Sequence, residues 1–122
     1  MDDRATLGRK GEKLALRFLR RKGCKVVTRN YRCAGGELDL VVLDDEVVVF
    51  VEVKTRTGRT HADPEDAVNL PKRQRMIRAA RFFLHQTDSF ARPFRFDIVA
   101  ITREDDGELT IEHFVDAFEP TD

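Results

Sequence analysis

Two short stretches hold residues that could do chemistry together: Gly36-Glu37-Leu38-Asp39-Leu40 and Phe50-Val51-Glu52-Val53-Lys54. Each is an apolar, strand-like run with charges two residues apart. A strand sends residues i and i+2 to one side, so Glu37 shares a face with Asp39, and Glu52 with Lys54. Val47, Val49, Val51 and Val53 take the opposite face. Asp44 and Asp45 between the runs read as a hairpin turn. If the loop is Asp44-Asp45 alone, Glu37 faces Glu52 and Asp39 lies diagonal to it. If the loop takes four residues, Asp44 to Val47, Asp39 lies opposite Glu52 and Glu37 opposite Lys54. Either even-length loop predicts three carboxylates and one ammonium on a single face, whereas an odd loop without a bulge would split them.

Like charges side by side on a sheet repel, so this cluster calls for a cation. Mg²⁺ prefers oxygen ligands, commonly one or two carboxylates completed by waters and phosphate oxygens. A lysine beside it can orient an attacking water or stabilise charge developing on phosphorus. The plain alternative is a pair of solvated strand ends with a cross-strand Glu–Lys contact. A lone E-x-K supports nothing more than that. The weight comes from both strands and the hairpin register acting together.

The surrounding sequence must position these groups, and it reads α–β–β–β–α–β–β. A first helix is expected from about Leu7 to Lys22, with Thr6 as N-cap and Gly23 as stop. Leu7, Gly11, Leu14, Ala15, Phe18 and Leu19 form its apolar stripe. Glu12 falls with Ala15, Leu16 and Leu19 at the flank of that stripe, either as a boundary acid paired with a neighbouring base or as a site residue. Cys24 to Tyr31 reads as a strand leading into the hairpin. Thr55 to Asp63, carrying Arg56, Gly58, Arg59 and His61, reads as a basic loop suited to a nucleic-acid backbone or simply to solvent. Asp63-Pro64-Glu65-Asp66 is a helix-start signature and Pro71 a second one, for a helix ending near Gln86. Met76, Ile77, Ala80, Phe83 and Leu84 are its core stripe. Lys72 extends that stripe by a turn, so it must snorkel to water, the preferred reading, or reach a polar site.

Arg95 to Thr102 and Leu109 to Phe114 are the last strands, joined through Asp105-Asp106-Gly107. A strand–helix–strand crossover favours a parallel pair, giving a mixed sheet flanked by helices. Asp97 alternates with Phe96 and Ile98 and reads as structural, receiving an arginine bond. His61, His85 and His113 show no metal spacing and are assigned no role.

At 122 residues, 41% hydrophobic and with nine phenylalanines, the chain has the size of one domain with a real core. The expected core spans about residues 7–114, followed by an acidic tail, 115–122. No apolar run approaches a membrane span, and the N-terminus lacks the apolar segment of a secretory signal, so a cytoplasmic protein is expected. Cys24 and Cys33 lack C-x-x-C spacing, which argues against zinc or a disulfide framework. The formal net charge of zero conceals a polarity. Arg4 to Arg32 holds eleven Lys or Arg against Glu12 alone; Lys72 to Arg81 holds five with no acid; Arg103 to Asp122 holds eight acids and one base. The basic segments could attract phosphates, or be the exposed faces of two amphipathic helices.

A Gly-Glu pair in the first helix, then Gly-Glu-Leu-Asp-Leu, Phe-Val-Glu-Val-Lys-Thr-Arg and Arg-Phe-Asp, in that order, resembles the YraN-like family of small bacterial proteins. The resemblance covers roughly Gly8 to Ile101. It implies a restriction-endonuclease-like fold of the PD-(D/E)xK nuclease superfamily, with an α-β-β-β-α-β core. By resemblance Asp39 matches the acidic metal ligand of the second strand, Glu52 and Lys54 the E-x-K of the third, and Glu12 the acid of the first helix. Leu38 stands where the superfamily's nominal proline would be, a departure at a position that is often relaxed. The implied activity is hydrolysis of nucleic-acid phosphodiesters, DNA foremost and branched intermediates among the substrates. Mg²⁺ or Mn²⁺ would be held by Asp39, Glu52, the Val53 carbonyl and Glu12, with Glu37 a weaker member of that set. Arg56, Arg59, Lys72, Arg73 and Arg75 would hold phosphates without reading sequence. A homodimer would suit a two-strand cut. The alternatives are a non-catalytic nucleic-acid-binding or recombination accessory module on the same fold, and a protein-interaction domain using its acidic tail.

Overall fold

The computed structural model describes residues 3–58 and 68–120, with side chains from Thr6 onward. Seven elements follow one another: α1 (Asp3–Arg21), β1 (Lys25–Cys33), β2 (Gly36–Asp44), β3 (Val47–Thr57), α2 (Leu70–Gln86), β4 (Phe94–Arg103) and β5 (Leu109–Phe118). Their order is the α-β-β-β-α-β-β read from the sequence. The strands form one sheet in the order β1-β2-β3-β4-β5. It is mixed as expected, since β3 and β4 run parallel and the other neighbouring pairs antiparallel.

Two apolar layers sandwich the sheet. Val48 and Phe50 of β3 join Val41, Phe96 and Ile98 beneath Met76, Ile77, Ala80, Phe83 and Leu84 of α2. The alternate residues Val49 and Val51 join Leu40, Val42, Val99 and Ile101 beneath Ala15, Leu16 and Leu19 of α1. A central strand buried on both faces needs an unbroken apolar run, and Val47–Val51 supplies one. Burying a residue such as Phe50 or Val49 completely stabilises the fold by about 1.5–3 kcal/mol, and both are 0% exposed.

The ends of the elements carry local causes. Gly23, at φ 95°, closes α1: its N–H donates to the Arg20 carbonyl, and the Cys24 N–H to that of Leu19 (3.0 Å each). This pair of bonds is the Schellman stop, and Cys24 packs in the Leu19 cluster as that motif favours. The N-cap expected at Thr6 is not one, because the helix has already begun at Asp3. Asn69 caps α2, its side chain accepting from the Lys72 N–H (3.1 Å), and Pro71 sits in the first turn. Residues 63–66, with their helix-start signature, lie outside the described residues, as do Arg59 and His61.

The final strand is longer than expected. The register between β4 and β5 shifts between Phe96 and Ile98, with Asp116 at φ 54° in the irregularity. Pairing then resumes and Phe118 stacks on Phe96, centroids 4.9 Å apart. Residues 115–118 therefore belong to the sheet rather than to an acidic tail.

Candidate functional site

The hairpin of β2 and β3 pairs from Asp44↔Val47 to Leu40↔Val51. This is the register that aligns Asp39 with Glu52. Because Asp44 and Val47 also pair, the turn tightens to Asp45-Glu46, with Asp45 at φ 53°. The ladder ends at Leu40↔Val51, and there β2 changes face. Leu40 and Val42 lie under α1, whereas Leu38 lies under α2 with Val41. On the neighbouring strand the pairs Arg29↔Leu40 and Tyr31↔Leu38 flank Asn30, whose φ is 52°. Asp39 therefore stands at a bend where β2 parts from β3. Its carboxylate takes over the acceptor's part in the ladder: Oδ2 accepts a hydrogen bond from the Val53 N–H at 2.8 Å.

Glu52 follows Val48 and Phe50 by alternation and so faces α2. It is 8% exposed, hydrogen-bonded to Asp39, and 3.2 Å from the Lys72 ammonium. Burial first, then the bond to Asp39 and the charge of Asp39, push its carboxyl up to about 8, against the pull of Lys72. Two carboxyl groups this close ionise together only when a cation stands between them; otherwise one keeps a proton. Lys72 thus does not snorkel. A buried acid one strand away is a better partner for its ammonium than water at the end of a long reach, and it stays half-buried.

Lys54 is exposed. With Glu52, Val53, Thr55, Val68, Asn69, Lys72 and Arg75 it lines a cleft of about 330 Å³. Glu12 approaches from the α1 side because α1 lies directly on the far end of β3 and on β4. A Cβ at Gly11 would overlap Thr55 Cγ2 and meet Ile101. Glu12 is half-buried, and its carboxyl is raised by burial foremost, then by Asp39 and more weakly by Glu37, with Arg29 opposing. The charge of Asp39 therefore reaches an acid of each helical layer: Glu52 on the α2 side and Glu12 on the α1 side.

Glu37 does not join the group. It is exposed and meets Arg32 Nε at 3.4 Å. The face change at Asp39 is the reason, since period-two reasoning across a bend puts the next alternate residue on the wrong side. The expectation of three carboxylates on one sheet face is corrected to that extent.

The basic residues are largely spoken for by the fold. Arg56 Nε donates to Thr102 Oγ1 (3.0 Å). Arg73 Nε donates to the Val68 carbonyl (2.8 Å), and its guanidinium lies 5.3 Å from the Phe118 ring centroid. Lys72 is held by Glu52. Arg75 is exposed at the cleft.

Among the described residues no group of three or more His, Cys, Asp or Glu gathers as a ligand set. The pair of Asp39 and Glu52 nevertheless fits a hard cation by donor chemistry. Both offer carboxylate oxygens, one from a buried group that resists ionising without a positive charge beside it. Cys24 is buried and Cys33 half-buried, both as free thiols.

Sequence reasoning found no role for His113, which closes a buried polar network. Its Nε2 lies 2.8 Å from Asp97 Oδ2 and its Nδ1 2.9 Å from Lys22 Nζ. Asp97, 0% exposed, also accepts from Arg95 Nε (3.0 Å) and Nη2 (3.2 Å) and from the Asp116 N–H (3.0 Å). Burial alone would raise its carboxyl; the bonds from His113, Arg95 and Asp116 outweigh that and lower it. The arginine bond expected of Asp97 is present.

A mixed five-stranded sheet with a helix on each face, in the order α-β-β-β-α-β-β, is consistent with a nuclease-like core. Among the described residues no helix is long and apolar enough to cross a membrane. The profile of the uncharacterised protein family UPF0102 matches residues 11–101, and the chain belongs to that family, the YraN-like family of the resemblance. A UPF0102 protein of Syntrophotalea carbinolica is 42% identical over 116 residues, covering 95% of this chain and 94% of the relative. One from Pelotomaculum thermopropionicum is 40% identical over 118 residues, 96% and 98% of the two chains. One from Beutenbergia cavernae is 45% identical over 107 residues, 88% and 91%.

Proposed function

We propose that this protein is a metal-dependent phosphodiesterase of the PD-(D/E)xK kind, cutting nucleic acid in the cytoplasm, with DNA as the substrate and branched molecules among its forms. One observation carries the reading. A buried glutamate, hydrogen-bonded to an aspartate at the point where two strands part, opens onto a cleft with a lysine two residues further along. Structural ion pairs rarely need the second carboxylate, whereas cation sites do.

Asp39, Glu52 and the Val53 carbonyl would hold Mg²⁺, with Glu12 binding its waters. The bound ion would supply Lewis-acid charge at the scissile phosphate. Lys54 orients the attacking water and stabilises the charge that builds on the phosphoryl oxygens. The Val53 N–H keeps Asp39 aimed at β3. Lys72 lies beside Glu52 while no cation is present and would become available to a substrate phosphate once one is bound. Arg75 holds the backbone beside the cleft.

Incubation with branched, single-stranded and duplex DNA in Mn²⁺ tests the reading, with Lys54→Ala run in parallel against contaminating nuclease. Cleavage by the wild type that is lost in Lys54→Ala is the expected result. Absence of cleavage on every substrate, with DNA bound equally well in chelator, would overturn it in favour of a non-catalytic nucleic-acid-binding module. That second reading draws on the Lys72 contact, which already gives Glu52 a positive partner.

A further inference from the structure

The outer face of α2 continues the cleft into an aromatic surface. Lys72 and Arg75 line the cleft that holds Glu52 and Lys54. The same two residues, now with Arg78, line an adjoining hollow of about 490 Å³ against Gly35, Gly36 and Glu37. Gly35 in turn lies against Phe82, because a Cβ there would come within 3.0 Å of the Phe82 ring and 3.1 Å of Arg78 Cβ. Phe82 opens a third hollow, about 480 Å³, walled by Arg81, Leu84, His85, Phe90 and Phe94. The three depressions thus form one path along a single helix.

Its far end is unusual for a protein surface. Phe82 is 49% exposed and Phe90 58%, and His85 meets the Phe90 ring edge-on, centroids 5.7 Å apart. Among the described residues the polar side chains beside these rings are Arg78, Arg81 and His85, and no acid lines that hollow. Cations followed by open aromatic faces form the arrangement that holds unpaired nucleotides, where cations track phosphates and rings stack on bases of any sequence. From Lys72 to Phe82 the helix advances about 15 Å at 1.5 Å per residue.

We infer that the α2 face from Arg75 to His85, continued by Phe90 in the turn that follows the helix, is a track for single-stranded nucleic acid leading into the Asp39–Glu52 cleft, with bases stacked on Phe82 and Phe90. The inference rests on the proposed nucleic-acid substrate and adds its form: the strand must be unpaired beside the cut site, as at a flap, fork or branch. It also assigns the exposed phenylalanines a function that apolar packing does not require.

Fluorescence anisotropy with a labelled dT oligonucleotide, its abasic counterpart and a duplex of equal length tests the track in the full chain. Phe82→Leu/Phe90→Leu keeps apolar area but removes the π-faces; Phe82→Tyr/Phe90→Tyr keeps both. The Leu variant should bind dT about tenfold or more weakly, given about 1–3 kcal/mol per stacked base. The Tyr variant should bind dT as the wild type does, and all three proteins should bind the abasic strand and the duplex alike. Unchanged dT affinity in the Leu variant, with duplex binding intact and salt-dependent, would overturn the track and leave the cleft's reading standing. No salt-dependent binding of any nucleic acid would overturn both. A wild-type dimer converted to monomer by the Leu substitutions would make the surface a self-association face and overturn the track. So would tight capture of an acidic, aliphatic peptide by the Leu variant without loss of affinity.

Discussion

Replacing Glu52 by Gln should change how stability depends on pH more than it changes stability itself. The Glu52 carboxyl is raised from an ordinary 4.5 to about 8, chiefly by burial and then by Asp39. Between those two values the folded protein holds a proton that the unfolded chain has released. Stability must therefore fall as pH rises through that window, and level off above it. A shift of this size corresponds to a few kcal/mol, at about 1.4 kcal/mol per pH unit. Glu12 is raised in the same direction, so the informative quantity is the wild type minus Glu52→Gln difference, which removes the contribution of Glu12. Urea denaturation at pH 5, 6, 7 and 8 measures it. Relative to the Glu52→Gln protein, the wild type should lose stability progressively from pH 5 to pH 8. Added Mg²⁺ should flatten the wild-type slope, since a divalent ion stabilises the ionised carboxylates, and should leave the Gln variant unchanged. Parallel pH profiles for the two proteins would refute the reasoning, because Glu52 would then titrate as an ordinary surface acid.

Other perturbations follow from the same contacts. Asp97→Asn should destabilise the fold by about 1–3 kcal/mol, because it removes the buried charge to which Arg95, His113 and the Asp116 N–H are bonded, although Arg95 keeps Asp44 at 3.1 Å; chemical denaturation reads this, and catalysis per folded molecule should be unaltered. Gly11→Ala should destabilise by about 1–3 kcal/mol through overlap with Thr55 Cγ2. Thr55→Ser, which deletes that methyl, should restore most of the loss in the double variant, and additive losses would sink the close-approach argument. Asp39→Asn should preserve the Val53 N–H bond through its amide oxygen and leave DNA affinity intact while abolishing cleavage; filter binding and a cleavage assay on the same preparation separate the two.

What the sequence revealed depended on how local the determining physics is. The paired runs around Asp39 and Glu52 were legible because hydrophobic alternation fixes register, and the observed ladder from Asp44↔Val47 to Leu40↔Val51 is one of the two registers that alternation allowed. Glu37 was misplaced because a positive φ at Asn30, on a neighbouring strand, accompanies a face change that no pattern within 36–40 announces. Lys72 was misread for a related reason. Its choice between water and Glu52 turns on an acid twenty residues away, across a layer boundary. The end of β5 was set too early at Phe114, the last regular partner before the register shift. Asp116 looks like a tail residue in sequence, yet its backbone N–H serves the buried Asp97. Charge counting did not reveal that Arg56 and Arg73 are engaged in hydrogen bonds and ring packing within the fold. Phe82 falls off the apolar stripe of α2 and Phe90 beyond the helix end at Gln86, so the pattern left both outside the core without saying what they do there.

The most direct test of the account is titration of the metal-free protein with Mn²⁺ at pH 8, followed by electron paramagnetic resonance. The wild type should take up the ion, competitively with Mg²⁺, and both Asp39→Asn and Glu52→Gln should weaken uptake at least tenfold. Equal Mn²⁺ uptake by all three proteins, or none by the wild type, would contradict the claim that these two carboxylates form a cation site.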